Sequence, residues 1–266
     1  MRRLLIGSIV PLIVLLAACG QWFSSAPSGN TSQSAQFAAA TASASNQPAS
    51  ALPNAACTNL YYPVSSGASW SYSSSGSVIG NYTYVHSITA LSATGFTSSD
   101  QFNSGIRHTI QWNCQDGNLT ALDTGLSAGS IANSKMKMTP DSVSADGYNI
   151  PAVFDTGKTW TEKVEISGSL ALNGGIVGSS QNVAILNCRA AGNEAVVVPA
   201  GSFDTVKVTC TANFVNNTAL EGVQGQPVSD TDSSIDWYAR GVGLVKSLST
   251  GADGTETIVL THYTLK

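Results

Sequence analysis

Charge is what this chain has least of. Only 11% of its 266 residues are Asp, Glu, Lys or Arg, where an average soluble domain carries about a quarter. The formal net charge is −4, and −6 once Arg2 and Arg3 leave with an N-terminal signal. That balance excludes a nucleic-acid binder, which needs basic surface, and supplies no polybasic patch for anionic lipid. Other signatures are missing too. There is no CxxC and no close His pair, which argues against a zinc site. There is no GxSxG elbow, no HExxH and no P-loop. With no nucleophile and no acid/base pair in view, the expectation is a protein that is not an enzyme and needs no cofactor.

The exception to the scattered apolar residues is the N-terminus. Met1-Arg2-Arg3 precedes an apolar run from Leu4 to Ala18, interrupted by Pro11. A spanning helix needs about 20 apolar residues. A shorter run behind two arginines, ending in small residues, has the layout of a secretory signal over 1–18. The competing reading is a short membrane anchor.

The five cysteines are an odd number, which in an exported chain calls for an explanation. Leu16-Ala17-Ala18-Cys19 resembles a bacterial lipobox. That resemblance implies a diacylglyceryl group on the Cys19 sulfur and cleavage that leaves Cys19 as the new N-terminus. Two acyl chains give stable anchoring without a spanning segment, at about 0.8 kcal/mol per buried CH₂. The expected partner is therefore the cell membrane, through the lipid, and the expected location extracytoplasmic. Cys57, Cys114, Cys188 and Cys210 remain. In an oxidising compartment they allow three pairings. Cys57–Cys114 with Cys188–Cys210 keeps each bridge within one half of the chain and is favoured. Four buried thiols are the alternative.

From Gly20 to Ala56 no residue is charged. This Ala/Ser-rich stretch cannot offset its ordering entropy by burial. Residues 19–56 are thus expected to be a disordered tether reaching on the order of 30–35 Å. Trp22 and Phe23 either rest at the bilayer interface or are two aromatics in a tail.

Residues 57–266 alternate with period two, the mark of strands. In YTYVHSI, Tyr82, Tyr84, His86 and Ile88 share a face; in IRHTIQW, Ile106, His108, Ile110 and Trp112 do. Lys135 to Met138 alternates as well, and so does the run from Phe203 to Cys210. Asp116-Gly117, Asp146-Gly147, Asn173-Gly174, Gly192-Asn193 and Asp253-Gly254 suit tight reversals. The fold class is all-β: a large antiparallel meander of about a dozen strands, a curved sheet or half-barrel with little helix. Asn216 to Ser229, with Glu221 and Gln224 between, is the longest non-periodic stretch and a candidate flexible loop or lid.

Gly67-Ala68-Ser69-Trp70-Ser71 returns ninety positions later as Gly157-Lys158-Thr159-Trp160-Thr161, each after an apolar lead-in. Ile110-Gln111-Trp112 is echoed by Ile235-Asp236-Trp237. Two pseudo-repeated halves, 58–149 and 150–266, follow within one β domain.

The separated histidines, His86, His108 and His262, read as strand residues with a hydrogen-bond partner; only their convergence would make a metal site. The run Asp230 to Asp236 fails as a calcium loop, because Ile235 and Gly241 stand where an EF-hand needs Gly and Glu. The aromatics Tyr61, Tyr62, Trp70, Tyr72, Trp112, Trp160, Trp237 and Tyr238 form either a core or a sugar- or lipid-contacting face.

Three stretches carry a family resemblance: Asn59 to Val64 leading to Gly67–Tyr72, Val196 to Val208 (VVVPAGSFDTVKV), and Trp237 to Lys246 (WYARGVGLVK). They resemble the TapB-like exported lipoproteins. The resemblance implies a fold similar to lipoprotein carriers of the LolA type, and no catalytic residues. The functional expectation is a membrane-anchored, non-enzymatic module that binds a lipid or other apolar molecule. The alternative is a structural or protein-interaction module of the cell envelope.

Overall fold

The computed structural model describes residues 55–77, 80–123, 136–172, 175–252 and 254–266. All of these fall in one unit, Pro48–Lys266. The signal, the lipobox with Cys19, Trp22, Phe23 and most of the tether lie outside the described residues.

Strands account for nearly all of it. They are β1 (Ser69–Ser75), β2 (Thr83–Leu91), β3 (Gly95–Phe102), β4 (Arg107–Gln115), β5 (Asn118–Ala121), β6 (Met136–Gly147), β7 (Thr159–Leu172), β8 (Gly175–Val198), β9 (Gly201–Leu220), β10 (Val223–Gln224), β11 (Val228–Ala239), β12 (Gly243–Gly251) and β13 (Gly254–Thr264). Among the described residues the only helical piece is a 3₁₀ turn, Ala55–Cys57. The strands form one sheet in the order β5-β4-β3-β2-β1-β13-β12-β11-β9-β8-β7-β6, with β10 on β9. Every pairing is antiparallel. The sheet curls until its ends nearly meet: Leu119 in β5 bridges Ile150, just past β6. Such curling is how an antiparallel sheet hides its edges.

Alternation explains which residues go inside. Along β7, Trp160, Glu162, Val164, Ile166 and Leu170 are buried while their neighbours are exposed or half-buried. The outward positions are largely Ser, Thr and Asn, which is why so few charges suffice for solubility.

The N-terminal segment closes one end. Asn59 Nδ2 donates to the carbonyls of Gly117 and Pro151, Gly117 N to Ala56 O, and Gly241 N to Leu60 O. Cys57–Cys114 fastens the same segment to β4. Cys188–Cys210 joins directly opposed residues of β8 and β9. With sequence separations of 57 and 22, loop-entropy arguments give each bridge about 3–4 kcal/mol.

The G-x-x-W echo has a structural counterpart. Gly67 (φ 75°) and Gly157 (φ 89°) both take the left-handed conformation before a strand. Gly67 N donates to Ile88 O, and Ile88 N to Ala68 O; Gly157 N donates to Ala190 O, and Ala190 N to Lys158 O. A register shift follows in each case, after Ile88 and after Ala190. Thus β1–β4 matches β7, β8, β9 and β11. The I-x-W echo does not extend the match. Trp112 faces inward with Ile110, whereas Trp237 faces outward under the ammonium groups of Lys246 and Lys207, 4.8 and 5.7 Å from its ring centroid. Nor does the sheet divide at residue 150: β6 precedes it but pairs with β7.

Two turn assignments also change. Gly192-Asn193 is a bulge inside the 24-residue β8 (Gly192 φ 128°), not a reversal. Asp146-Gly147 ends β6 without a hairpin. Positive φ serves bulges and strand ends as well as turns, so the dipeptides alone do not distinguish them. The stretch 216–229 is likewise not an irregular loop. Asn216 lies within β9, opposite Val228, Glu221 occupies the turn (φ 49°), Gln224 is in β10 and Ser229 is in β11. Its polar composition hid the strands because both faces of this arm are solvated, so no period of two is written there.

Candidate functional site

Two interiors lie side by side. In the first, Tyr62 from the lead-in to β1 packs against Trp70, Phe96 and Trp112, at centroid distances of 5.9, 5.6 and 5.3 Å. Phe96 and Trp112 stack at 5.3 Å. Trp70 Nε1 donates to Val242 O and Trp112 Nε1 to Ser98 Oγ, so the indoles enter the core with their polar atoms satisfied. In the second, the lead-in to β7 supplies Phe154, 5.4 Å from Trp160 and 5.1 Å from Tyr238. Most of the aromatics named from the sequence are therefore core, as in one of the two expected readings.

Beyond Phe154 three inward positions of the second interior are small. Ala184, Ala212 and Ser234 stand where the first interior has rings. They leave a cavity of about 300 Å³. Ile110 and Trp112 of β4, Val164 of β7, Leu186 of β8, and Val208 and Phe214 of β9 give it an apolar wall, and the Cys188–Cys210 bridge lies on that wall. The size is at the lower end for small-molecule sites.

Four carboxylates also line it: Asp100, Asp123, Glu162 and Asp236. Each is held. Asp100 is opposite His86 on one side and His108 on the other in the sheet register. Its Oδ1 is 2.6 Å from His86 Nδ1, and His86 Nε2 is 2.5 Å from the Tyr62 hydroxyl. Burial raises the Tyr62 pKa well above its usual value, so the phenol keeps its proton. His108 Nε2 lies 3.4 Å from Asp123, and its Nδ1 is buried without a hydrogen-bond partner among the described residues. Glu162, only 4% exposed, accepts from Ala121 N at 3.0 Å and from Asn149 Nδ2 at 3.1 Å. Burial pushes its pKa up to about 7; the two donors pull it down, and the charge of Asp123 pushes it up. Asp236 accepts from Ser234 Oγ at 3.0 Å. Burial raises its pKa against the hydrogen bonds of Ser247 and Ser234.

The three histidines do not converge: His86 and His108 flank one aspartate, while His262 is exposed on β13. No group of three metal-ligating side chains with suitable geometry occurs among the described residues. Asp230 to Asp236 lies within β11 rather than in a loop. Of the acidic run, Asp236 alone reaches the cavity wall.

The four cavity carboxylates were not singled out from the sequence. A signal was present: an acid on the apolar face of an alternating strand, as with Glu162 between Trp160 and Val164. Their convergence required the closure of the sheet.

Comparison with known proteins follows the fold. Over residues 82–255 the chain matches the DUF3108-like family model. No curated protein matches it. A crystal structure of a candidate lipoprotein from Parabacteroides distasonis ATCC 8503 superposes with a TM-score of 0.50 at 16% identity, covering 77% of this chain and 99% of that one. A candidate exported protein with a YmcC-like fold from Bacteroides fragilis NCTC 9343 gives 0.44 at 16% identity, over 78% and 100% of the two chains. The first likeness supports the β architecture. With the family model spanning most of the β domain, the chain belongs to the DUF3108-like family.

Proposed function

We propose that this chain is an extracytoplasmic lipoprotein, anchored through Cys19, whose curled sheet holds a small apolar or amphiphilic molecule and acts by binding rather than by catalysis. The carrying observation is the cavity of about 300 Å³, walled by apolar side chains from both meanders and supplied with a few fixed polar groups. The lipobox and the lipoprotein description of the similarly folded protein support the location. Kinship with the TapB-like lipoproteins and a carrier-type role rest on the sequence motifs and belong to this proposal.

Native mass spectrometry of the protein purified without denaturation is expected to show a bound small molecule. Ala212→Leu, which fills the cavity, is expected to lose it. A protein that carries nothing and binds no neutral probe such as hexanol overturns the reading. Palmitate labelling equal in wild type and Cys19→Ala would remove the anchor.

A second reading, an envelope interaction module, draws on the far end of the long strands. There Ile176, Val223 and Val228 are 77%, 73% and 64% exposed, and exposed apolar groups of this kind often mark contacts. Crosslinking in intact cells that captures no protein partner counts against it.

A further inference from the structure

The polarity of the cavity is one-sided. Three strands that line it, β4, β7 and β9, also carry cations, as does β12 beside β11, and each of these cations whose partner is defined points outward. Arg107 Nε donates to the exposed Gln101 side chain. Lys163 is 2.6 Å from Glu165 on the outer face. Lys207 and Lys246 lie over the outward Trp237 ring. Inward, the ionisable side chains are Asp100, Asp123, Glu162, Asp236 and His108, and no Lys or Arg lines the cavity among the described residues.

We infer that the molecule held in this cavity carries a cationic nitrogen head, of the primary ammonium class, on a short apolar body. This rests on the cavity being a binding site, as proposed above. The carboxylates come from β3, the segment after β5, β7 and β11, and all four line the one cavity. An ionised carboxylate offers acceptors only, and an ammonium offers three donors and no acceptor. Walls of low polarizability strengthen that attraction and focus the negative potential. The same field opposes a carboxylate or phosphate head, since like charges brought together cost several kcal/mol. Fatty acids and phospholipids are thereby disfavoured, which narrows the apolar-ligand class considerably. The donors already on the wall fit this role: His86, the Ala121 amide, Asn149 and Ser234 fix three of the carboxylates in place.

The test uses the full chain in mild detergent, titrated calorimetrically at pH 8 with hexylamine, hexanol and hexanoate against detergent blanks. Hexylamine is expected to bind at least tenfold more tightly than hexanol, and hexanoate more weakly than either. Glu162→Gln and Asp236→Asn, made singly and together, are expected to cut the amine's advantage to threefold or less while hexanol binds as before; retained hexanol binding reports that the variants are folded. If hexanol and hexanoate match hexylamine, or hexanoate binds best, the charge inference falls and the cavity reading stands. If none of the three binds, both fall. An amine preference unchanged in the double variant also overturns the assignment.

Discussion

The two meanders begin with the same turn and the same buried tryptophan, yet one is solid and the other hollow. In the first, Tyr62, Trp70, Phe96 and Trp112 interlock. In the second, Phe154 and Trp160 make the equivalent start, but Ala184, Ala212 and Ser234 follow where rings would be needed to finish the core. Backbone geometry is thus shared, and side-chain size at a few inward positions decides whether the space is filled. Packing fills the first half, and the second keeps a cavity.

The sharpest way to break this comparison is to exchange the two conditions. Trp70→Ala empties the solid side and loses the Nε1 bond to Val242; a destabilisation of about 3–5 kcal/mol is expected in chemical denaturation. Ala212→Leu on the hollow side is expected to cost less than about 1 kcal/mol, below the usual 1–3 kcal/mol for overpacking a filled core. Equal losses would mean that the cavity is not there.

A second contrast is electrostatic. Glu162 holds its proton more tightly in the folded protein (about 7) than at its ordinary value of 4.5. The sign follows: the native state is favoured at low pH, and that contribution is lost as pH rises through 7. Between pH 5 and 8, stability is expected to fall by about 2–3 kcal/mol from this residue. Glu162→Gln should flatten the slope measured by urea unfolding across that range. Its amide still accepts from Ala121 N, and Asn149 can turn to offer its oxygen.

The smallest effect tests the likeness of the two starts. Gly67→Ala and Gly157→Ala each place a side chain at positive φ, and each is expected to lower stability by about 1–2 kcal/mol. A clearly larger loss at Gly67 would trace to Lys266, whose Nζ lies 3.0 Å from the added Cβ; nothing lies within 4 Å at Gly157.

Much of the architecture was legible because strands with one buried face write a period of two. Tyr82, Tyr84 and Ile88, or Trp160, Val164 and Ile166, announce their face directly. The turn residues were less informative. Gly192 needs positive φ for a bulge as much as it would for a hairpin, and Asn216 sits in a strand whose inward face is a polar ladder with Asn182 and Ser180. The site was hardly legible at all. Asp100, Asp123, Glu162 and Asp236 are spread over 137 positions, and only the register of seven neighbouring strands and the near-meeting of β5 with the segment after β6 bring them to one wall.

The bridge from Cys57 to Cys114 has a mechanical side. It stands a dozen residues ahead of β1, at the point where the chain arrives from its N-terminal end. A pull from that direction meets a covalent bond into β4 before it can reach the hydrogen bonds of β1. Load arriving there enters the sheet at β4 as well as at β1, so it is not carried by the end of one strand alone.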